Sequence, residues 1–191
     1  NLERFAAAAP AEIRDYLGRQ RTAFDHLLTL FSYSPYLSDT LIQQPAMLLW
    51  LEQEPALHRV KACEEMLHGL EAFAAEAGGS AAPGGPLELC ALLARFKRRE
   101  YLRIALRDLL RLGTLPEAAL ELSALADAIL QYTLRRARAE LAQRLGRPMI
   151  AAGRSECECP AAILSLGKLG GNELNYASDV DVIFVHDGNG V

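Results

Sequence analysis

Near residue 146 the apolar rhythm of this chain changes, and that change limits the folds open to it more than any other property of the sequence. From Pro10 to about Gly146, apolar residues recur at the three- and four-residue spacing of amphipathic helices, in a background of Ala, Leu, Glu and Arg. Almost nothing in that stretch reads as strand. Beyond Pro160 the pattern becomes two short apolar runs. Ala161-Ala162-Ile163-Leu164-Ser165-Leu166 stops at a glycine, and Val180-Asp181-Val182-Ile183-Phe184-Val185 is bounded by Asp187-Gly188-Asn189-Gly190. The expected architecture is mainly α: a helical domain over residues 1–158, then the first strands of an α/β domain over residues 159–191.

Within the helical part, the first long helix is expected from Pro10 through Phe31. Ser34-Pro35 reads as an N-cap followed by proline at the first helical position, opening a short helix that Pro45 interrupts and restarts. A further helix is expected from Pro55 to Ala77. The small, flexible residues 77–86 read as a linker-like loop. A long helix then runs to about Leu112, closed by Gly113. Thr114-Leu115-Pro116-Glu117 has the spacing of a capping box and opens a helix ending near Leu145-Gly146. Leu27, Leu30, Phe31, Leu122, Leu125 and Ile129 read as core stripes, and Trp50 as core. Arg95, Arg99, Arg103, Arg107 and Arg111 recur at four-residue intervals, a row that drifts by about 40° per step around a helix. It is expected to be a solvated, salt-bridged surface, with Glu100 in reach of Arg103 and Asp108 in reach of Arg111. The four histidines are scattered, and none is placed to act as a catalytic base.

No run of about 18 uncharged apolar residues exists, and Asn1 to Pro10 lacks the layout of a secretory signal, so a cytoplasmic protein without a membrane partner is expected. Cys63, Cys90, Cys157 and Cys159 match no zinc spacing, and Cys157-Glu158-Cys159 reads as two reduced thiols in a surface loop. The net charge of −4 argues against broad electrostatic binding to nucleic acid. That excess is local. Glu156, Glu158, Glu173, Asp179, Asp181 and Asp187 face only Arg154 and Lys168 in residues 151–191, while the first 150 residues balance. A bound cation would relieve such a segment.

The chemistry is expected in the link between the two strands, residues 167–178, which leads into Asp179-Val180-Asp181. On a strand these two carboxylates would stand roughly 7 Å apart at their Cα atoms and point the same way, able to hold one or two hard cations. Magnesium is commonly held by paired carboxylates together with substrate phosphates. Gly167, Gly170 and Gly171 permit close backbone approach and positive φ, so that amide groups can turn toward an anion; Lys168 and Ser178 can add a charge and a hydroxyl. An Asp-x-Asp pair alone usually marks a solvated turn, and a Gly-Gly pair a tight one. Their combination in an apolar strand–loop–strand frame favours ligand roles, because Asp181 among Val180, Val182, Ile183 and Phe184 would be costly to bury unpaired. The order of residues excludes a P-loop, since Lys168 precedes Leu169 and no Ser or Thr follows it. Nothing fits a dinucleotide-binding Gly-x-Gly-x-x-Gly leading into a helix.

The spacing from Gly167-Lys168 through residues 169–178 to Asp179-x-Asp181 resembles the nucleotidyltransferase superfamily that includes DNA polymerase β, with lysine in place of the usual serine. The longer string Gly-Lys-Leu-Gly-Gly-Asn-Glu-Leu-Asn-Tyr-Ala-Ser-Asp-Val-Asp resembles, more narrowly, glutamine synthetase adenylyltransferase. Upstream, Ser34-Pro35-Tyr36-Leu37 with Gln44-Pro45, and Arg95-Phe96-Lys97-Arg98-Arg99-Glu100 leading into Leu102-Arg103-Ile104-Ala105, are similar to the helical segment that precedes the catalytic domain in that family. The resemblance covers most of the chain.

It implies a polymerase β-like catalytic domain and Mg²⁺-dependent nucleotidyl transfer, with Asp179 and Asp181 as catalytic metal ligands. Gly167, Lys168, Gly170, Gly171 and Ser178 would lie on the nucleotide and phosphate side. Such enzymes resemble a tandem duplication in which one half adenylylates a tyrosine of glutamine synthetase with ATP and the other removes AMP by phosphorolysis, releasing ADP. The Glu-Leu-Asn wording and the Arg-Arg-Glu helix look more like the deadenylylating half. Glutamine synthetase as protein substrate and a PII-type signal protein as regulator are implied too. Family members use a third carboxylate on a later strand, which is expected beyond Val191, so the fragment alone is expected to be inactive. The alternatives are a small-molecule nucleotidyltransferase of the aminoglycoside-modifying type and a non-catalytic helical docking module.

Overall fold

The structure, a computed structural model, describes residues 1–78, 85–152 and 155–188. It is mainly helical, with nine helices and four short strands among the described residues. In order these are α1 (Leu2–Ala8), α2 (Ala11–Arg19), α3 (Arg21–Tyr33), α4 (Pro35–Gln43), α5 (Ala46–Gln53), a 3-10 turn (Pro55–His58), α6 (Cys63–Gly78), α7 (Pro86–Leu109), α8 (Leu115–Leu145), β1 (Met149–Ala152), β2 (Ser155–Glu158), β3 (Ala161–Ser165), α9 (Gly167–Gly170) and β4 (Val182–His186). No described helix is long and apolar enough to cross a membrane.

Two compact units emerge from the contacts. The first gathers α1 to α5, the 3-10 turn, α7 and the opening residues of α8. Its core is a cluster that includes Phe5, Ile13, Leu27, Leu30, Leu41, Leu48, Leu51, Leu102 and Leu106, with Trp50, Phe31 and Leu17 packed against it. Phe5 meets Phe31 edge-to-face, centroids 5.8 Å apart. The expected helix from Pro10 to Phe31 is in fact two. Gln20 is extended, with Gly18 just before it, and α2 turns back to pack on α3.

Capping behaves as the sequence predicts. Ser34 Oγ accepts the Leu37 N–H at the start of α4. The Thr114 N–H donates to Glu117 Oε2 at 2.8 Å while the Glu117 N–H donates to Thr114 Oγ1, a reciprocal capping box. Pro55 to His58 form a 3-10 turn, and α6 begins only at Cys63, so the helix expected from Pro55 is shorter than foreseen. At the end of α7 the residue in the left-handed region is Arg111 (φ 54°), and the Leu112 N–H returns to the Arg107 carbonyl. Gly113 is needed for a different reason: a Cβ there would come within 2.7 Å of Arg107 Nη2 and 2.6 Å of Glu117 Oε2, the pair that bridges the turn. Residues 79–84 of the expected linker lie outside the described residues; Pro86 opens α7 at its first position.

The arginine row is not a solvated surface. Arg95 and Arg111 are exposed, but Arg103 and Arg107 are buried, as the drift of a four-residue spacing around the helix carries the row from solvent into the core and out again. Glu100, 1% exposed, accepts from Arg103 Nε at 2.8 Å and from Lys61 Nζ at 3.3 Å, with Arg99 Nη2 at 3.9 Å. Lys61 also reaches Glu54 at 3.3 Å, and Arg99 and Lys61 both lie over the Trp50 ring. The Arg-Arg-Glu stretch thus builds a buried ionic network.

The second unit holds α6, most of α8 and all four strands. Met66, Leu67, Leu70, Leu122, Leu125, Ala128 and Tyr132 are buried there. β1 and β2 form an antiparallel hairpin that the sequence reading did not foresee, with Ile150 opposite Cys157. Cys157 is therefore on a strand, and Cys159 is buried with its thiol toward the carbonyl of Gly188, so the two are not a pair of surface-loop thiols. β3 and β4 form a second antiparallel pair, running from Ala161 opposite His186 to Ser165 opposite Val182.

Candidate functional site

The glycine-rich link leaves β3 at Ser165 and returns to β4 at Val182. Gly167 has φ +55°, which a glycine tolerates and most side chains do not, and it opens the single-turn helix α9. Gly170 packs so closely on the end of β3 that a Cβ there would lie 2.5 Å from the Ser165 carbonyl oxygen. Asn172, also in the left-handed region, ends the turn. Two buried leucines, Leu169 and Leu174, fasten the link to the unit's interior.

The link's own amides are largely engaged in closing it. Gly170 N–H donates to the Leu166 carbonyl, Gly171 N–H to Gly167, Asn172 N–H to Leu169 and Glu173 N–H to Lys168, at 2.7 to 3.1 Å. In this arrangement Gly170 serves close backbone approach, whereas a Cβ on Gly171 would meet nothing nearer than the Gly167 carbonyl oxygen at 3.7 Å. Asn175 and Ser178 form a second small turn: the Asn175 N–H donates to Ser178 Oγ, and the Ala177 N–H to Asn175 Oδ1. Lys168 is exposed, and among the described residues its ammonium makes no ion pair.

Asp179 and Asp181 come immediately before β4 and not within it, although the ladder reaches back one step through the Leu166 N–H to the Asp181 carbonyl at 2.9 Å. Both are exposed. The expectation that Asp181 is embedded in apolar surroundings fails, because Val180, Ile183 and Phe184 are themselves exposed. The structure does bring Asp181 to Gly167: a Cβ on that glycine would stand 3.4 Å from Asp181 Oδ2. Among the described residues neither carboxylate has a hydrogen-bond or ion-pair partner. Two unneutralised, accessible oxygen donors suit a hard cation such as Mg²⁺. Among the described residues no cluster of three or more His, Cys, Asp or Glu exists.

Two polar groups of α8 reach this link, and the sequence reading missed both. Ser123 is fully buried; its Oγ accepts the Leu174 N–H at 3.1 Å and donates to the Ala119 carbonyl at 2.9 Å. Asp127 Oδ1 accepts from Ser165 Oγ at 3.3 Å. Burial pushes the Asp127 carboxyl above its ordinary pKa, and the hydrogen bond from Ser165 opposes that rise. Asp127, Gln131 and Ser165, with Leu130, Leu134 and Ile163, line a groove of about 430 Å³.

The Gly170 contact yields a direct test. Because the obstructing atom is backbone, Gly170→Ala must displace either the strand end or the link, and a loss of about 1–3 kcal/mol is expected. Gly113→Ala, whose obstructing atoms are the far ends of Arg107 and Glu117, should lose less. Thermal unfolding of the two variants side by side checks the order.

The glutamate-ammonia ligase adenylyltransferase family model matches residues 24–191. A bifunctional glutamine synthetase adenylyltransferase/adenylyl-removing enzyme of Shewanella loihica is 30% identical over 189 residues, covering 98% of this chain and 18% of the relative. Proteins of the same name from Thioalkalivibrio sulfidiphilus and Pseudomonas aeruginosa are each 34% identical, over 90% and 87% of this chain and 17% and 16% of their own lengths. The chain spans less than a fifth of these relatives.

Proposed function

Since the chain belongs to the glutamate-ammonia ligase adenylyltransferase family, we propose that it carries part of a nucleotidyl-transfer site acting on glutamine synthetase, and that this site is the deadenylylating one. The observation that carries the site is the geometry of the link, while the choice of the deadenylylating half rests on the Glu-Leu-Asn wording and the Arg-Arg-Glu helix. A tightly closed glycine turn sets the free Asp181 carboxylate against Gly167, with Asp179 two residues before it and Lys168 exposed. On this reading β3, α9 and β4 are the opening elements of a polymerase β-like catalytic domain beginning near residue 159, which shares its compact unit with α6 and most of α8.

Asp179 and Asp181 would hold Mg²⁺, which when bound neutralises charge on the phosphates of the substrate. Lys168 offers a cation and Ser178 a hydroxyl to the phosphate side. Gly167, Gly170 and Gly171 keep the wall of that side free of side chains, so that backbone can approach an anion closely. In the reaction an oxygen of inorganic phosphate attacks the phosphorus of the tyrosyl-AMP diester. The new P–O bond makes ADP, the bond from phosphorus to the tyrosine oxygen breaks, and that oxygen takes up a proton. ATP belongs to the opposite, adenylylating reaction, in which its AMP group passes to the tyrosine oxygen and pyrophosphate leaves; here the same AMP group leaves the tyrosine as part of ADP. A PII-type signal protein is the proposed regulator, and the four free cysteines suit a cytoplasmic setting. With two carboxylates as its acidic donors, residues 1–191 by themselves are expected to show no turnover.

The test is product identity. Full-length protein given adenylylated glutamine synthetase and inorganic phosphate should release ADP, stop on addition of EDTA and resume with Mg²⁺. Release that persists without a divalent cation, or formation of free AMP in place of ADP, would reject the phosphorolytic, metal-dependent reading.

A further inference from the structure

We propose that Ser123 and Asp127 of α8 are positioning residues for nucleotidyl transfer, holding the start and the middle of the glycine-rich link and thereby setting where the Asp179–Asp181 pair stands. The inference rests on the assignment of that pair as the metal-holding site. Ser123 and Asp127 are four apart and so lie one turn above the other on a single face of α8. Asp127 takes the hydroxyl of Ser165, the last residue of β3, and Ser123 takes the amide of Leu174, just beyond the glycine turn that Asn172 ends. The glycine turn lies between these two points, and the Asn175–Ser178 turn leads on from the second of them to Asp179.

Each attachment is tied to the carboxylates by a short path. Ser165 adjoins Leu166, whose N–H binds the carbonyl of Asp181, and the Ser165 carbonyl is the surface on which Gly170 packs. A shift of Ser165 therefore moves both the floor beneath Gly170 and the hydrogen bond that carries Asp181. At the other end the Ser123 hydroxyl is fully used, accepting from Leu174 and donating to Ala119, in a place with no exposure to water. Its removal would leave the Leu174 N–H in the interior without an acceptor, and the chain would have to move to find one. The Leu174 side chain, 4% exposed, pins the same residue from the opposite direction. Neither Ser123 nor Asp127 needs to touch substrate. Their effect passes through the link.

The test uses full-length protein and ADP release from adenylylated glutamine synthetase. Ser123→Ala and Asp127→Ala should each lower kcat on the order of ten- to a hundredfold, the scale on which a misplacement of about 1 Å acts. The KM for adenylylated glutamine synthetase should stay the same, and the Mg²⁺ concentration giving half the maximal rate should rise. Asp127→Asn keeps an oxygen acceptor for the Ser165 hydroxyl and should restore most of the rate, which a purely electrostatic role for Asp127 would not permit. Folding is followed by thermal unfolding. If Ser123→Ala fails to fold, the comparison of Asp127→Ala with Asp127→Asn decides alone. Parental kcat and Mg²⁺ dependence in folded Asp127→Ala would overturn the proposal, as would equal loss in Asp127→Asn. The Asp179→Asn, Asp181→Asn variant is measured alongside: if it is active, the metal-site assignment falls and the positioning role falls with it. If it is dead while Asp127→Ala is normal, only the positioning role falls.

Discussion

Full-length protein carrying Asp179→Asn together with Asp181→Asn is expected to release ADP on the order of a thousandfold more slowly than the parent, or not measurably, a barrier increase of about 4 kcal/mol or more. The substitution is nearly isosteric and removes two negative charges that have no partner among the described residues. No ion pair is broken, so thermal stability should change little, and relief of repulsion in the acidic segment can raise it slightly. Transfer of AMP from ATP to glutamine synthetase, the other activity in the name its relatives carry, should survive, because in the proposed assignment it belongs to a different site. Loss of both activities would mean that the sites are coupled or that this one serves both directions. Retention of both would place the chemistry elsewhere and leave residues 1–191 as a helical docking module.

The second large effect is on folding. Glu100→Ala removes the carboxylate that accepts at 2.8 Å from Nε of Arg103, a guanidinium with no exposure to water. Breaking one side of a buried pair costs about 3–5 kcal/mol, a large share of the roughly 5–15 kcal/mol that holds a typical domain together. Lys61→Ala leaves Glu100 its 2.8 Å bond from Arg103 and should lose much less. Replacing both members, Glu100→Gln with Arg103→Met, should recover a good part of the loss, since neither member of that pair is then left charged in the interior. Denaturant unfolding of the set gives the coupling between the two positions; a loss below about 1 kcal/mol for Glu100→Ala would show that water reaches Arg103 after all.

Much of the fold could be read from local sequence because local chemistry sets it. Ser34-Pro35 and Thr114-x-x-Glu117 satisfy helix-end amides through residues three apart, and both behave as their spacing says. The strand runs after Pro160 and the glycine link between them also fall where the apolar pattern puts them, within one or two residues. Other features depend on partners distant in sequence. The break at Gln20 follows from α2 folding back on α3. The burial of Arg103 and Arg107 requires Lys61, Glu54 and Glu117 to be brought to α7, so a spacing of four that looks like a surface ridge conceals a network. β1 and β2 are four residues each and largely small or polar, too brief for an alternation to register. Ser123 and Asp127 read as ordinary polar positions on α8, since the groups they hold lie 51 and 38 residues away. In the site, the residue types were legible and the exposure was not: Asp181 stands in the open because the faces of Val180, Ile183 and Phe184 do too.

The placement of Trp50 gives the ionic network an optical signature. It is the chain's single indole, with the Arg99 guanidinium 4.5 Å from its ring centroid and the Lys61 ammonium at 5.7 Å. Two cations whose partner is Glu100 lie over this ring, so opening of that network by substitution is expected to shift its emission or quenching without any added label.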